Sequence, residues 1–328
     1  MSKWNVYVTR LLPKPAMDLL MKHCNVEVNQ EDRVLTRQEL LRQVKGRDAI
    51  ISLLTDTIDS KLMDSAKGIK IIANYAVGFN NIDIEAATER GICITNTPDV
   101  LTDATAELAW ALLLATARRV VEADNYLRAG KFKGWGPQLL LGHSVKGKTL
   151  GIIGTGRIGQ EFARMAEGFK MDILYYDIQP NLEFERETSA KYVNLDELLT
   201  RCDYISLHVP LTPKTQHLIG PRELKLMKNT AVLINTSRGP VIDEGALVKA
   251  LLDKEIWGAG LDVFENEPEL APGLADLDNV VILPHIASAT IEARTDMGLV
   301  AVKNILAAME NKLPPNCLNP EAFNRQKI

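Results

Sequence analysis

The sequence predicts an α/β protein made of two doubly wound parallel-sheet domains. Short apolar, β-branched runs alternate with short helical patterns along most of the 328 residues, as in a parallel sheet flanked by helices. Residues 146–177 hold a strand, the G-x-G-x-x-G of Gly154, Gly156 and Gly159, a helix, a second strand and a terminal acid, in that order. A chain of this length also divides naturally into two domains of ordinary size.

The first domain begins with a strand at 5–8 and a helix at 14–23 introduced by Pro13 and Pro15. A strand at 26–28 precedes a helix at 36–44, where Thr36 and Glu39 form a capping box. Strands at 49–53, 69–74 and 92–96 are separated by helices at 60–66 and 84–90. No glycine fingerprint sits on these loops, so this domain is expected to lack a dinucleotide site of its own. Residues 102–129 read as one long helix stopped by Gly130, and its centre, AELAWALLLATAR, is apolar nearly all round. So much apolar surface calls for burial on several faces, between domains or across a subunit interface. Residues 131–144 are an excursion leading into the fingerprint strand.

That strand spans 149–153. Gly154 lets the chain turn sharply, Gly156 lets a pyrophosphate approach the backbone, and Gly159 lets the helix at 159–169 pack close to the strand. The helix start offers free N–H groups and a positive dipole end to phosphates. The next strand, 171–176, ends at Asp177, whose carboxylate can accept from both ribose hydroxyls and would repel a 2′-phosphate. Ile178-Gln179-Pro180 brings no arginine to offset that repulsion, so NAD is favoured over NADP. After a polar connection come helices at 196–201, 221–227 and 244–253 and strands at 204–208, 231–235, 258–261 and 280–283. That makes six strands after Lys148, in a Rossmann-type arrangement. A helix at 291–310 is long enough to return to the first domain, and a polar tail follows. The expected domains are therefore 1–101 with 289–328, and 102–288.

Composition narrows the function. With 46% hydrophobic and 24% charged residues the chain reads as a soluble globular protein. A net charge of −4 and a pI near 5.8 argue against nonspecific nucleic-acid binding. Cys24, Cys93, Cys202 and Cys317 lie far apart with no C-x-x-C, so neither a metal site nor a disulfide framework is expected, and a reducing cytoplasm fits. The opening MSKWNVYVTR enters a strand directly, unlike a secretory or transit peptide, and the longest apolar run, 108–117, is too short for a bilayer.

Ligands of doubly wound sheets bind beyond the carboxyl ends of the strands. There the sequence puts Asn235-Thr236-Ser237-Arg238-Gly239, then Asp262 to Glu267, then Pro284-His285-Ile286-Ala287-Ser288. An arginine, a carboxylate and a histidine suffice for hydride exchange with a 2-oxo or 2-hydroxy acid. A planar guanidinium can bind the substrate carboxylate, and an imidazole can give a proton near neutral pH. A nearby carboxylate can orient that imidazole and favour its charged form. Each also has a plainer reading: Arg238 as a structural salt bridge, Glu267 as a solvated charge, His285 as a surface histidine. His208 competes for the acid/base role, while His143 and His217 sit in polar, loop-like contexts that suggest exposure.

The motifs GIIGTGRIG, HVPLTP, INTSRGPVIDEGAL, GAGLDVFENEP and LPHIASAT closely resemble the D-isomer-specific 2-hydroxyacid dehydrogenase family. YAVGFNNIDIEAATERGICITNTP and TAELAWALLLATAR extend the likeness over nearly the whole chain. The resemblance implies that Arg238, Glu267 and His285 are the catalytic residues. It implies that Leu53, Val77 and Gly78 line the substrate site together with Arg238 and His285, the Val77 and Gly78 amides holding the carboxylate. Cofactor contacts are implied for Thr105, Gly154, Gly156, Arg157, Ile158, Gly159 and Asp177. They are implied also for the His208-Val209-Pro210 triplet on the adenosine side, and for Thr236, Ser237, Arg238, Asp262, His285 and Ala287. The family's first domain binds substrate and its middle domain NAD, with long hinge helices between them and closure excluding water. The apolar long helix matches the family's homodimer interface. Within the family, YAVGFNNID and LLLGHSVKGKTLGIIG most resemble glyoxylate/hydroxypyruvate reductases, although many of those carry a small or basic residue where this chain has Asp177. Rival implied functions are D-3-phosphoglycerate dehydrogenase, with Arg10 or Arg33 on the substrate phosphate, and an NADH-sensing co-repressor that binds peptides.

Overall fold

The structure is a computed structural model that describes residues 3–325. The extreme ends of the expected 1–101 and 289–328 segments, with the last residues of the polar tail, lie outside those residues. The chain forms two compact units, Met1–Leu101 with Ala289–Ile328, and Thr102–Ser288.

The first unit holds β1 (Asn5–Val8), α1 (Lys14–His23), β2 (Asn25–Val28), α2 (Arg37–Gln43), β3 (Ala49–Ser52), α3 (Ser60–Ser65), β4 (Ile71–Asn74), α4 (Ile84–Glu89) and β5 (Cys93–Thr95). The five strands are parallel in the order β2-β1-β3-β4-β5. All of β3 and β4 is buried, which is why AIIS and IIAN read as unbroken runs rather than alternating ones. At α2, Thr36 accepts from the Glu39 amide at 3.3 Å, and the Glu39 carboxylate accepts from the Thr36 amide at 2.8 Å. This capping box satisfies two otherwise free N–H groups.

Two helices follow the second unit in sequence and complete this one: α12 (Ile291–Met309) and α13 (Pro320–Arg325). Helix α12 packs on α1 and β4, and Gly298 lies so close to Ala16 that a Cβ there would meet the alanine methyl at 2.6 Å. Helix α13 replaces part of the expected polar tail. The buried Asn319 before it accepts from Ile94 N at 2.8 Å and donates to Thr88 Oγ1 at 2.9 Å and Ile92 O at 3.0 Å. These bonds tie the end of the chain to β5 and α4, an attachment with no local signature.

The second unit begins with α5 (Thr102–Ala117) and α6 (Val120–Arg128), where one continuous helix was expected. Arg119 between them takes a left-handed φ of 54° and joins Glu122 through two 2.7 Å bonds. The free Ala117 carbonyl accepts from His143 N at 2.9 Å, so a distant segment takes the bond that would have continued the helix. Helix α5 packs on α7 (Arg157–Met165) and also on β10 (Val232–Asn235) and β11 (Gly258–Leu261). Its all-round apolar character is thus largely satisfied inside this unit. Trp110 shows how. Its Nε1 donates to Phe162 O at 3.0 Å, and its ring stacks on Phe162 and Phe169 at 4.9 and 5.0 Å.

The other elements here are β6 (Thr149–Ile153), β7 (Asp172–Tyr176), α8 (Leu182–Thr188), β8 (Lys191–Tyr192), α9 (Leu195–Arg201), β9 (Tyr204–Leu207), α10 (Pro221–Leu226), α11 (Glu244–Leu252) and β12 (Val280–Ile282). The parallel sheet runs β12-β11-β10-β9-β6-β7-β8. Among the described residues this sheet has seven strands, one more than expected, because the polar connection after Asp177 contains α8 and the two-residue edge strand β8. The topological switch lies between β6 and β9, on either side of which the chain winds in opposite directions.

Replacing Trp110 with Phe should destabilise the protein by about 1–3 kcal/mol, since the Phe162 carbonyl loses its buried donor. Urea denaturation followed by circular dichroism checks this, and an unchanged midpoint would contradict it.

Candidate active site

The glycine loop sits at the carboxyl end of β6. Gly154 has a φ of 96°, and a Cβ on it would lie 2.8 Å from the His208 carbonyl group. A Cβ on Gly159 would lie 2.1 Å from Gly154 O, so the helix meets the turn at backbone contact. Gly156 differs: nothing lies within 4 Å of a Cβ placed there. Helix α7 starts at Arg157, two residues earlier than expected, with Gly156 as its N-cap. Its first N–H groups therefore face the open side of Gly156, the arrangement that accepts a pyrophosphate. Thr236 adds a second mark of fit, for its Oγ1 is buried without a protein partner. These features suit a dinucleotide.

Asp177 follows β7 directly and is half-buried. Its Oδ2 accepts from Thr155 N and Thr155 Oγ1, both at 2.7 Å, and its Oδ1 accepts from Ile178 N at 2.7 Å. Thr105 is buried in α5, whereas Arg157 is exposed and Ile158 half-buried at the start of α7. His208 follows β9. Its Nε2 lies 2.9 Å from Ser206 Oγ, its ring packs 5.1 Å from Phe162, and burial pushes its pKa down to about 3. It is a neutral imidazole with a structural partner, and Val209 and Pro210 lead away from it. His143, expected to be exposed, is half-buried with its ring edge-on to Trp257 at 4.3 Å.

Strands β10, β11 and β12 are adjacent and in register, with Asn235 opposite Leu261 and Leu261 opposite Ile282. The loops that follow them carry Arg238, Glu267 and His285. Parallel pairing thus gathers three residues that are far apart in sequence. His285 Nδ1 lies 2.9 Å from Glu267 Oε2. An ionised carboxylate only accepts, so Nδ1 carries the hydrogen and Nε2 is left for other partners. Their side chains remain 26% and 31% exposed, enough for a ligand to reach them.

Burial alone would raise the Glu267 carboxyl, but the His285 bond and charge, the Phe264 amide at 3.0 Å and the Arg238 charge outweigh it. The group is held below the usual carboxylate range. Arg238 is pulled down by burial and partly restored by Glu267. A guanidinium still stays charged at neutral pH.

The turn bearing Arg238 is pinned by the buried Asn235. Its Oδ1 accepts from Ser237 N and Oγ at 3.0 and 2.8 Å, and its Nδ2 donates to Arg238 O at 2.9 Å. Gly239 lets this turn touch the next loop, since a Cβ on it would fall 1.9 Å from the Phe264 carbonyl. Asp262 is fully buried and receives Ile286 N and Ala287 N, both at 2.7 Å. It was expected as a cofactor contact. In the structure its two oxygens hold the loop on which His285 sits with a left-handed φ of 56°. A non-glycine residue seldom keeps that conformation unless its surroundings impose it.

Sequence reasoning passed over Asn235 and also Glu244, a buried acid at the start of α11. Glu244 accepts from the amides of Glu265 and Ala271 at 3.3 and 3.0 Å and so braces the loop carrying Glu267. The Asp243-Glu244 pair offered a signal, since Asp243 already caps the helix and leaves the second acid without a local use.

Leu53, Val77 and Gly78 belong to the other unit, half-buried on the loops that follow β3 and β4. Among the described residues no group of three or more His, Cys, Asp or Glu could hold a metal, and no helix is long and apolar enough to cross a membrane.

A dinucleotide-binding sheet with this arginine, glutamate and histidine at its carboxyl edge defines a nicotinamide-dependent oxidoreductase. Residues 110–287 match the NAD binding domain of the D-isomer specific 2-hydroxyacid dehydrogenases. The chain is 51% identical to a glyoxylate reductase of Thermococcus litoralis, over 98% of both sequences. A solved protein of Thermus thermophilus superposes with a TM-score of 0.90 at 46% identity, over 96% of this chain and 99% of that one. An NADPH-dependent glyoxylate/hydroxypyruvate reductase of Sinorhizobium meliloti, solved with NADP and malonate, gives 0.85 at 32% identity, over 98% of each chain. The protein belongs to the D-isomer-specific 2-hydroxyacid dehydrogenase family.

A carboxylate with a lowered pKa stabilises the fold fully above its ordinary range and loses that effect as pH falls through the lowered value. Thermal melts of wild type and Glu267→Gln should therefore differ most near neutral pH and converge below about pH 4. A gap of constant size down to about pH 3 would show that the ionised carboxylate is not what stabilises this loop.

Proposed function

We propose that this protein reduces small 2-oxo acids, glyoxylate and hydroxypyruvate foremost, to 2-hydroxy acids of D configuration, with NADH as reductant. The observation that carries the reading is the 2.9 Å His285–Glu267 pair beside Arg238 at the ends of three adjacent strands. Arg238 binds the substrate carboxylate and polarises the 2-oxo group. His285, charged, gives its Nε2 proton to the oxygen that becomes the hydroxyl. Glu267 holds the ring by Nδ1, which leaves Nε2 to face the reacting oxygen. NADH, when bound, supplies the hydride that reaches the 2-oxo carbon.

The unit of residues 102–288 is read as the cofactor domain. Gly154, Gly156, Arg157, Ile158 and Gly159 would take the pyrophosphate, Asp177 the ribose, and His208, Val209 and Pro210 the adenosine side. Thr105, Thr236, Ser237, Arg238, Asp262, His285 and Ala287 would lie toward the nicotinamide. The other unit is read as the substrate domain, with Leu53 as a pocket wall and the Val77 and Gly78 amides on the carboxylate.

NAD is preferred over NADP on the ground of Asp177. Thr155 and Ile178 fix its carboxylate in place, and no arginine lies in Ile178-Gln179-Pro180 to accept a 2′-phosphate. A homodimer is proposed from the exposed apolar side chains of α6 and the segment after it, among them Val120, Leu127 and Trp135. The four widely spaced cysteines, with no C-x-x-C among them, are in keeping with a cytoplasmic setting. Phosphoglycerate-type substrates are disfavoured, because Arg33 is engaged by Glu31 and by Glu39 at 2.8 Å, and Arg10 faces Asp32 at 3.6 Å.

Initial rates on glyoxylate, hydroxypyruvate, pyruvate and phosphohydroxypyruvate, with NADH and then NADPH, test the proposal. Turnover of the first two with NADH supports it. NADH binding without turnover of any acid would favour a sensor instead. His285→Ala is expected to lower kcat by about 10²–10⁴-fold while NADH affinity, read by fluorescence titration, stays unchanged. Asp177→Ala should shift the NADPH/NADH ratio of kcat/KM upward by about tenfold or more, and an unmoved ratio would refute the role given to that carboxylate.

A further inference from the structure

The backbone carrying Val77 and Gly78 is not held by a helix or a strand. It leaves β4 at Asn74 and runs through Tyr75 and Ala76 before the chain enters α4. Backbone bonds from Tyr75 N to Ser52 O at 2.7 Å and from Thr97 N to Ala76 O at 2.9 Å fix its start, and side-chain amides hold the carbonyls of Val77 and Gly78. Asn74 is fully buried, and its Nδ2 donates to Gly78 O at 3.0 Å, across the turn. Its Oδ1 accepts from Ser52 Oγ at 3.2 Å and from Asn81 Nδ2 at 3.5 Å. Asn81 Nδ2 also donates to Leu53 O at 3.1 Å and Asp56 O at 2.9 Å. One buried amide therefore links Ser52, at the end of β3 and next to Leu53, to the Gly78 carbonyl four residues downstream. A neighbouring asparagine, Asn96, donates to Val77 O at 2.9 Å.

We propose that Asn74 is a positioning residue for substrate recognition: by holding the Gly78 carbonyl it fixes the Gly78–Phe79 peptide that follows the Val77 and Gly78 amides, so that the turn keeps those amides aimed at the substrate carboxylate. The proposal rests on the reading that those two amides bind that carboxylate. The geometry fits such a task better than simple core filling. A buried apolar side chain would satisfy the volume at the end of β4 but would leave the Gly78 carbonyl and Ser52 hydroxyl without this partner. An amide is also the group that can donate to one of them and accept from the other at the same time. Because the carboxylate is common to every 2-oxo acid, loss of Asn74 should weaken all of them alike. Discrimination between side groups should change little.

The test uses the full-length protein with Asn74→Ala and the near-isosteric Asn74→Asp, and with oxalate as a carboxylate probe. For Asn74→Ala, KM for glyoxylate and for hydroxypyruvate and the oxalate inhibition constant should each rise about tenfold, as expected for one lost hydrogen bond in a binding site. The kcat should fall less, and NADH affinity should stay at the wild-type value. An ionised aspartate cannot donate to Gly78 O, but a protonated one can. The KM defect of Asn74→Asp, relative to wild type at the same pH, should therefore shrink as pH is lowered, while that of Asn74→Ala stays flat. A merely structural role would not produce that pH-dependent rescue. Wild-type KM and oxalate constants in both variants would overturn the proposal, as would identical defects at every pH. If oxalate fails to compete in the wild type while the acids are still reduced, the carboxylate reading of Val77 and Gly78 falls, and the role of Asn74 with it.

Discussion

Parallel pairing is the constraint on which this molecule depends. Strands that all run the same way must release their carboxyl ends on one side of the sheet, so any chemistry written into the following loops is collected there. Arg238, Glu267 and His285 lie on the loops that leave β10, β11 and β12, whose ends are in register, Asn235 opposite Leu261 and Leu261 opposite Ile282. Backbone hydrogen bonding between strands brings them together; attraction among the three is not required. Their attraction acts later, on orientation. Asp262 receives two amides, Asn235 clamps one turn, and Glu244 braces another, so each loop carrying one of the three is tied by a buried polar side chain. Such groups are worth burying only because each is fully engaged.

The two units use the same architecture for different ends. In the 102–288 unit the key loop is short, glycine-rich and followed at once by a helix, which suits an anion. In the other unit the loops after β3 and β4 carry no such helix start beside the glycine. There asparagines brace the turn after β4, Asn96 on the Val77 carbonyl and Asn74 on the Gly78 carbonyl.

Much of this was legible in the sequence because the signals were local. The glycine fingerprint, the Thr36–Glu39 box and the β-branched runs each act over a few residues, and each appears where its physics requires. What escaped was decided at a distance. Nothing in Ala117-Arg118-Arg119 forbids a helix. The break comes from His143, whose amide takes the Ala117 carbonyl. The short edge strand β8 has only two residues, too few for any periodicity, and α8 buries only Phe184. The attachment of Asn319 depends on β5 being beside it. Among the histidines, sequence chemistry left His208 and His285 as competitors. What separates them in the structure is surroundings: His208 has a serine hydroxyl and a phenyl ring, while His285 has a carboxylate.

The neutrality of His208 has a consequence for how an anion is met at the glycine loop. With its pKa near 3, this imidazole brings no charge there at any pH at which the protein is expected to work. Positive potential beside Gly156 then comes from the oriented peptide dipoles at the start of α7. Peptide dipoles are fixed in space and cannot be neutralised by a proton or exchanged for a counterion. Grip on a pyrophosphate built this way is a property of backbone shape, indifferent to modest acidification of the surrounding medium.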